Sequence, residues 1–134
     1  MLISSDLSRN ETSIYDELVR QGCALTAYEL LESVRPSGIR SPTQVYRALE
    51  RLEGRHLVHR IESINAFIAC AHSHESNPHP STVGFAICEK CGNIAEIDMS
   101  NVAKKLGGLA SKTDFKVEYS LLEFRGKCRN CQTN

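Results

Sequence analysis

Four cysteines stand in two pairs, Cys88-Glu-Lys-Cys91-Gly92 and Cys128-Arg-Asn-Cys131, with 36 residues between the pairs. Two intervening residues let both thiolates of a pair reach one ion, and Gly92 permits the tight turn behind the first pair. Four sulfurs close a tetrahedral zinc site with no position left for water, so the chemistry expected of Cys88, Cys91, Cys128 and Cys131 is structural, not catalytic. A redox dithiol or two disulfides would use the same residues. Structural zinc contributes roughly 10 to 16 kcal/mol in small peptides, enough to decide whether a small domain folds.

A second group of ligand-type residues lies around His59 and Cys70, which are symmetric about a turn at Ile64-Asn65. In a symmetric hairpin they are cross-strand partners with Cβ atoms ~4.5 to 5.5 Å apart, a spacing suited to sharing a metal. The alternative is a small buried hydrophobe at Cys70 and a surface histidine at position 59. His72, His74 and His79 follow in a polar segment, and Glu96 lies five residues after Cys91, so a mixed His/Cys/Glu site is within reach. Cys23 falls in a turn and is expected to be inert.

These residues need elements to hold them. With 134 residues and 41% apolar content the chain can bury one modest core or two very small ones, not a large enzyme scaffold. Residues 10–21 read as a helix with Asn10 as N-cap and Gly22 as its stop. Thr26-Ala27-Tyr28-Glu29 is a capping box opening a second helix that Pro36-Ser37-Gly38 ends. Ser41-Pro42-Thr43-Gln44 repeats that signature and opens a third helix running to Gly54. Val45, Leu49 and Leu52 line its inner face, while Gln44, Arg47 and Arg51 share another.

Formal net charge is zero, yet residues 35–60 hold six arginines against two glutamates, a local +4. Such a patch fits a phosphate backbone, or else a solvated face. Leu57 to Glu62 and Ala66 to Cys70 read as a hairpin turning at Ser63-Ile64-Asn65-Ala66. Three helices followed by a hairpin suggest a winged helix whose third helix enters the major groove.

After a polar hinge, Val83 to Cys88 and Ile94 to Asp98 read as strands. Ser100 caps a weak helix interrupted at Gly107-Gly108, and Phe115 to Phe124 reads as a long strand ending near Cys128. The expected fold is α+β, with a winged helix-turn-helix domain at 1–70, a hinge at 71–82, and a small dimerisation and metal-binding domain at 83–134. No leader or apolar membrane span is legible, so a cytoplasmic protein is expected.

Thr43-Gln-Val-Tyr46-Arg47-Ala-Leu, Leu57-Val-His59-Arg-Ile-Glu-Ser, Cys88-Glu-Lys-Cys91-Gly and Cys128-x-x-Cys131 together resemble the ferric uptake regulator (Fur) family over nearly the whole chain. Val58-His59-Arg60-Ile61-Glu62-Ser63 followed by Asn65-Ala-Phe-Ile-Ala-Cys70 is similar to its zinc uptake regulator (Zur) branch. The family usually reads Thr-Val-Tyr-Arg where this chain has Thr43-Gln44-Val45-Tyr46-Arg47, and many relatives carry a further leading helix.

The resemblance implies structural zinc on the four paired cysteines. It implies a regulatory zinc on His59, Cys70, His79 and Glu96, with His72 or His74 as alternatives to His79. It also implies that Tyr28 and Arg47 face DNA, making Tyr28, Arg40, Thr43, Gln44, Tyr46, Arg47 and Arg51 the expected DNA-binding set, and that the second half forms a homodimer. The function expected is a zinc-responsive repressor on palindromic operator DNA controlling zinc uptake genes, with two zinc ions per chain and neither a membrane partner nor a small-molecule substrate. A sensor of iron or manganese, a zinc-ribbon protein- or RNA-binding adaptor, and a zinc hydrolase are the other readings. The hydrolase finds no oriented base in the sequence, and the adaptor leaves the arginine helix without a role.

Overall fold

The structure, a computed structural model, describes residues 6–70 and 82–133. The chain divides into two compact units, Met1–Ala71 and His72–Asn134. Most of the hinge expected at 71–82, including His72, His74 and His79, lies outside the described residues.

In the first unit, α1 spans Arg9–Gln21. Its N-cap is Ser8 rather than Asn10: the Ser8 hydroxyl accepts from the Glu11 N–H, and the Glu11 carboxylate accepts from the Ser8 N–H. A reciprocal box satisfies two end groups, which Asn10 alone could not do, so the helix starts earlier than its apolar periodicity suggests. Gly22 closes it at φ 65°, the left-handed conformation glycine adopts without strain.

Helix α2 (Ala27–Val34) opens on the Thr26–Glu29 capping box, and a 3-10 turn over Arg35–Ser37 follows it. Helix α3 (Pro42–Gly54) opens on Ser41, with Pro42 in its first turn and Gln44 completing the box, as its sequence signature requires. Ile14, Leu18, Leu30, Val45, Leu49 and Leu52 meet in one buried core. Full burial of each such side chain stabilises by about 1.5–3 kcal/mol, and it is this packing that fixes the outward face of α3.

The wing is an antiparallel ladder of β1 (Val58–Ile61) and β2 (Ala66–Ala69). Its turn is asymmetric, a 3-10 turn over Glu62–Ile64 followed by Asn65 at φ 48°. Leu25 pairs with Phe67 through two backbone hydrogen bonds of 2.8 and 2.9 Å, tying the wing to the α1–α2 connection. The first unit is therefore a winged helix-turn-helix.

The second unit is a three-stranded sheet in the order β4-β3-β5, formed by β3 (Thr82–Cys88), β4 (Ile94–Ile97) and β5 (Ser120–Gly126). β3 runs antiparallel to β4 and parallel to β5, and the connection to β5 carries α4 (Ser100–Ser111). Helix α4 continues through Gly107-Gly108, although each glycine costs it about 1 kcal/mol relative to alanine. Ser100 is its first residue and not its cap; Asp98 accepts from the Ser100 N–H instead. β5 starts at Ser120 and not Phe115, with Ser120 set against Thr82 of β3. A short helix, α5 (Arg129–Gln132), follows it. The whole is α+β, and no helix among the described residues is long and apolar enough to cross a membrane.

Candidate functional site

Parallel pairing of β3 with β5 sets Cys88 opposite Gly126, so the two cysteine pairs emerge side by side at one end of the sheet. Behind Cys88 the chain turns tightly: the Gly92 N–H donates to the Cys88 carbonyl at 2.9 Å, with Gly92 at φ 78°. The second pair is set by α5, whose N-cap is Cys128 and which carries Cys131. The four Sγ atoms all lie within 4.8 Å of one another. Cys91 Sγ and Cys128 Sγ are 3.7 Å apart. Thiolates bound tetrahedrally at ~2.3 Å from one zinc lie about 3.8 Å from each other, so this donor set fits zinc. All six cysteines of the chain stand as thiols rather than disulfides.

Protonation follows from the same geometry. Hydrogen bonds from the backbone N–H groups of Cys128 and then Cys91 hold the Cys88 thiol down to about 6. Cys131 is pushed up to about 12 by its hydrogen bond to the Cys128 sulfur, with burial second. One thiol of the cluster thus ionises readily, and another keeps its proton until a cation compensates the gathered charge.

His59 and Cys70 belong to the first unit and Glu96 to the second. His59 is buried on β1, and Cys70 is buried just past the end of β2. Their expected direct pairing does not form: His59 faces Ile68, and the Cys70 N–H donates to the Leu57 carbonyl at 2.8 Å. The asymmetric turn moves the ladder by one residue per strand, so His59 and Cys70 are diagonal neighbours on one face instead. Tyr15 of α1 lies close to Cys70; burial first, and then the Cys70 charge, raise its hydroxyl above the usual tyrosine range. Glu96 is half-buried on β4, opposite Phe85. Among the described residues, the four paired cysteines are the one group close enough to hold a metal together.

On α3, burial of Val45, Ala48, Leu49 and Leu52 turns Thr43, Tyr46, Arg47 and Arg51 outward, and Arg40 is exposed just before the helix. Tyr28 on α2 is 67% exposed. Gln44 is partly committed to structure: its Oε1 accepts from the backbone N–H of Arg40 at 2.9 Å and of Ser41 at 3.2 Å. Beside this face opens a cleft of about 260 Å³ lined by Ser8, Asn10, Glu11, Gln44, Arg47, Ala48 and Arg51. Sequence reasoning missed Glu11 here, although Ser8-x-x-Glu11 carries the same capping-box spacing that identified the next two helices.

A model of the ferric uptake regulator family matches residues 7–125. The zinc uptake regulation protein of Escherichia coli (strain K12) is 33% identical over 112 residues, 83% of this chain, and that of Shigella flexneri matches equally. The matched part spans 64% of the length of those relatives. The crystal structure of holo XcZur matches with a TM-score of 0.82 at 32% identity, covering 96% of this chain and 87% of that one. A zinc uptake regulator complexed with zinc and DNA also gives a TM-score of 0.82, at 28% identity, covering 94% of this chain and 83% of the other.

Proposed function

The chain belongs to the ferric uptake regulator family, and from that premise we propose that it is a zinc-responsive repressor that binds palindromic operator DNA as a dimer and controls zinc uptake genes. The observation that carries this reading is the likeness, over 94% of the chain, to a zinc uptake regulator complexed with zinc and DNA. The exposed cationic face of α3 and the four-sulfur cluster supply the two chemistries such a protein needs.

Arg47, Thr43 and Gln44 stand on the first turns of α3, from which a recognition helix reads base edges in the major groove. Arg40, Arg51, Tyr28 and Tyr46 flank them and contact the backbone, where each phosphate neutralised by a cation adds salt-dependent affinity. Exposed Leu109, Phe115 and Phe124 in the second unit offer the apolar surface a homodimer would cover.

Cys88, Cys91, Cys128 and Cys131 would hold one structural zinc, and His59, Cys70, His79 and Glu96 a regulatory one. Zinc, when bound, supplies a compact cross-link between side chains and no redox chemistry. A thiolate beside imidazole favours zinc over iron(II) or manganese, which prefer nitrogen and oxygen donors, so Cys70 sets the metal preference. In this role the protein is a regulator, not an enzyme.

The test is duplex-DNA binding by the purified protein across buffered free zinc, with zinc per chain measured on the same samples. Tight binding that arrives together with a second zinc per chain supports the reading. DNA binding that is absent, or indifferent to zinc while the cysteine site stays filled, overturns it.

A further inference from the structure

Glu11 is an acid in an unusual place for a protein that binds a polyanion. Its residue is 6% exposed, it sits in the first turn of α1, and its Oε2 lies 3.9 Å from Nη1 of Arg51 on α3. The same Oε2 accepts from the Ser8 N–H at 3.3 Å, so the α1 cap fixes the carboxylate in position. It also lines the cleft that Gln44, Arg47 and Arg51 share. The Arg51 side chain is 74% exposed, within reach of both this carboxylate and any backbone phosphate alongside α3.

We propose that Glu11 is the counter-charge that restrains Arg51, competing with backbone phosphate for its guanidinium and so limiting sequence-independent DNA binding. The inference rests on the DNA-binding reading above and specifies how that surface is regulated. Binding to arbitrary duplex depends almost wholly on the number of phosphates that cations neutralise. A buried anion beside one of those cations lowers that number, because Arg51 must give up Glu11 to take a phosphate. Base-edge contacts from the first turns of α3 do not use Arg51, so the restraint bears hardest on complexes that lack them. A carboxylate serving only as a helix cap would not act in this way, since its hydrogen bond to Ser8 involves no residue of α3.

Glu11→Gln separates the two roles. Glutamine also completes a capping box, so the fold is retained while the charge is removed. The measurement is binding of the full chain to a short random-sequence duplex over a series of salt concentrations, for wild type, E11Q, R51A and the E11Q/R51A double variant. E11Q is expected to bind several-fold tighter at low salt, with the log–log salt slope steeper by up to about 0.9, one phosphate contact. The effect must vanish in the R51A background, with the double variant matching R51A. If E11Q has the wild-type slope and affinity, or strengthens binding equally without Arg51, the inference fails while the DNA-binding reading stands. If wild type shows no salt-dependent duplex binding at all, both fall.

Discussion

His59 lies opposite Ile68 in the wing, so the Cys70 side chain reaches the His59 side of the ladder along a diagonal and not directly across. Diagonal neighbours on one face are about 7–8 Å apart between Cα atoms, within reach of a shared ligand for long side chains. Cys70→Ser is expected to leave the cysteine cluster loaded and the fold intact, while zinc-dependent gain of duplex binding drops at least tenfold. Zinc stoichiometry and DNA affinity on one preparation check this, and wild-type zinc dependence in the variant would exclude Cys70 as a regulatory ligand.

The four-sulfur cluster joins the end of β3 to the segment after β5 and is expected to decide whether the second unit folds. Removal of zinc by a strong chelator, or Cys88→Ser, should unfold residues 82–133 and leave the winged helix folded, as limited proteolysis with mass analysis would show. Acid should act in the same direction. Thiolate is the ligand form, and the raised Cys91 and Cys131 thiols must lose protons to bind zinc, so zinc affinity falls with falling pH and falls more steeply below about 6, where Cys88 is protonated too. Zinc release followed against pH would contradict the assignment if it moved the other way.

Ser41 starts the helix proposed to enter DNA, and its hydroxyl accepts from the Gln44 N–H at 3.4 Å. Ser41→Ala should cost about 1 kcal/mol of stability, read from denaturant unfolding, by leaving that end group without its side-chain partner. DNA affinity should fall with it, since Thr43 and Arg47 ride on the same first turns. Stability unchanged within a few tenths of a kcal/mol would mean the cap is dispensable.

Gly84, in the middle of β3, leaves no room for a side chain. A Cβ there would stand 2.7 Å from Met99 Sδ and 2.8 Å from its Cγ, and Met99 is itself buried. Gly84→Ala should destabilise the second unit by roughly 1–3 kcal/mol through overpacking. In a double-variant cycle, Gly84→Ala should cost less in a Met99→Ala background than in wild type, and an equal cost in both would assign it to the strand backbone instead.

What the sequence by itself determined is what local spacing encodes. Two residues between cysteines, a serine or threonine three residues before an acid or amide, and a 3.6-residue apolar period made the cysteine cluster, two of the three helix starts and the outward arginines legible. The comparisons with known proteins then placed the chain in the family that its motifs resemble. Ser8 takes the α1 cap because Glu11 answers it, a local box of the same kind as the other two, and α4 runs on through Gly107-Gly108, whereas the pairing of β5 beside β3, with Ser120 against Thr82, is a matter of tertiary structure. The wing register depended on Asn65 adopting a left-handed conformation after a 3-10 turn, which hydrophobic alternation does not specify. The contact between Glu11 and Arg51 joins residues forty positions apart, and only the packing of α1 against α3 brings a buried carboxylate to that guanidinium.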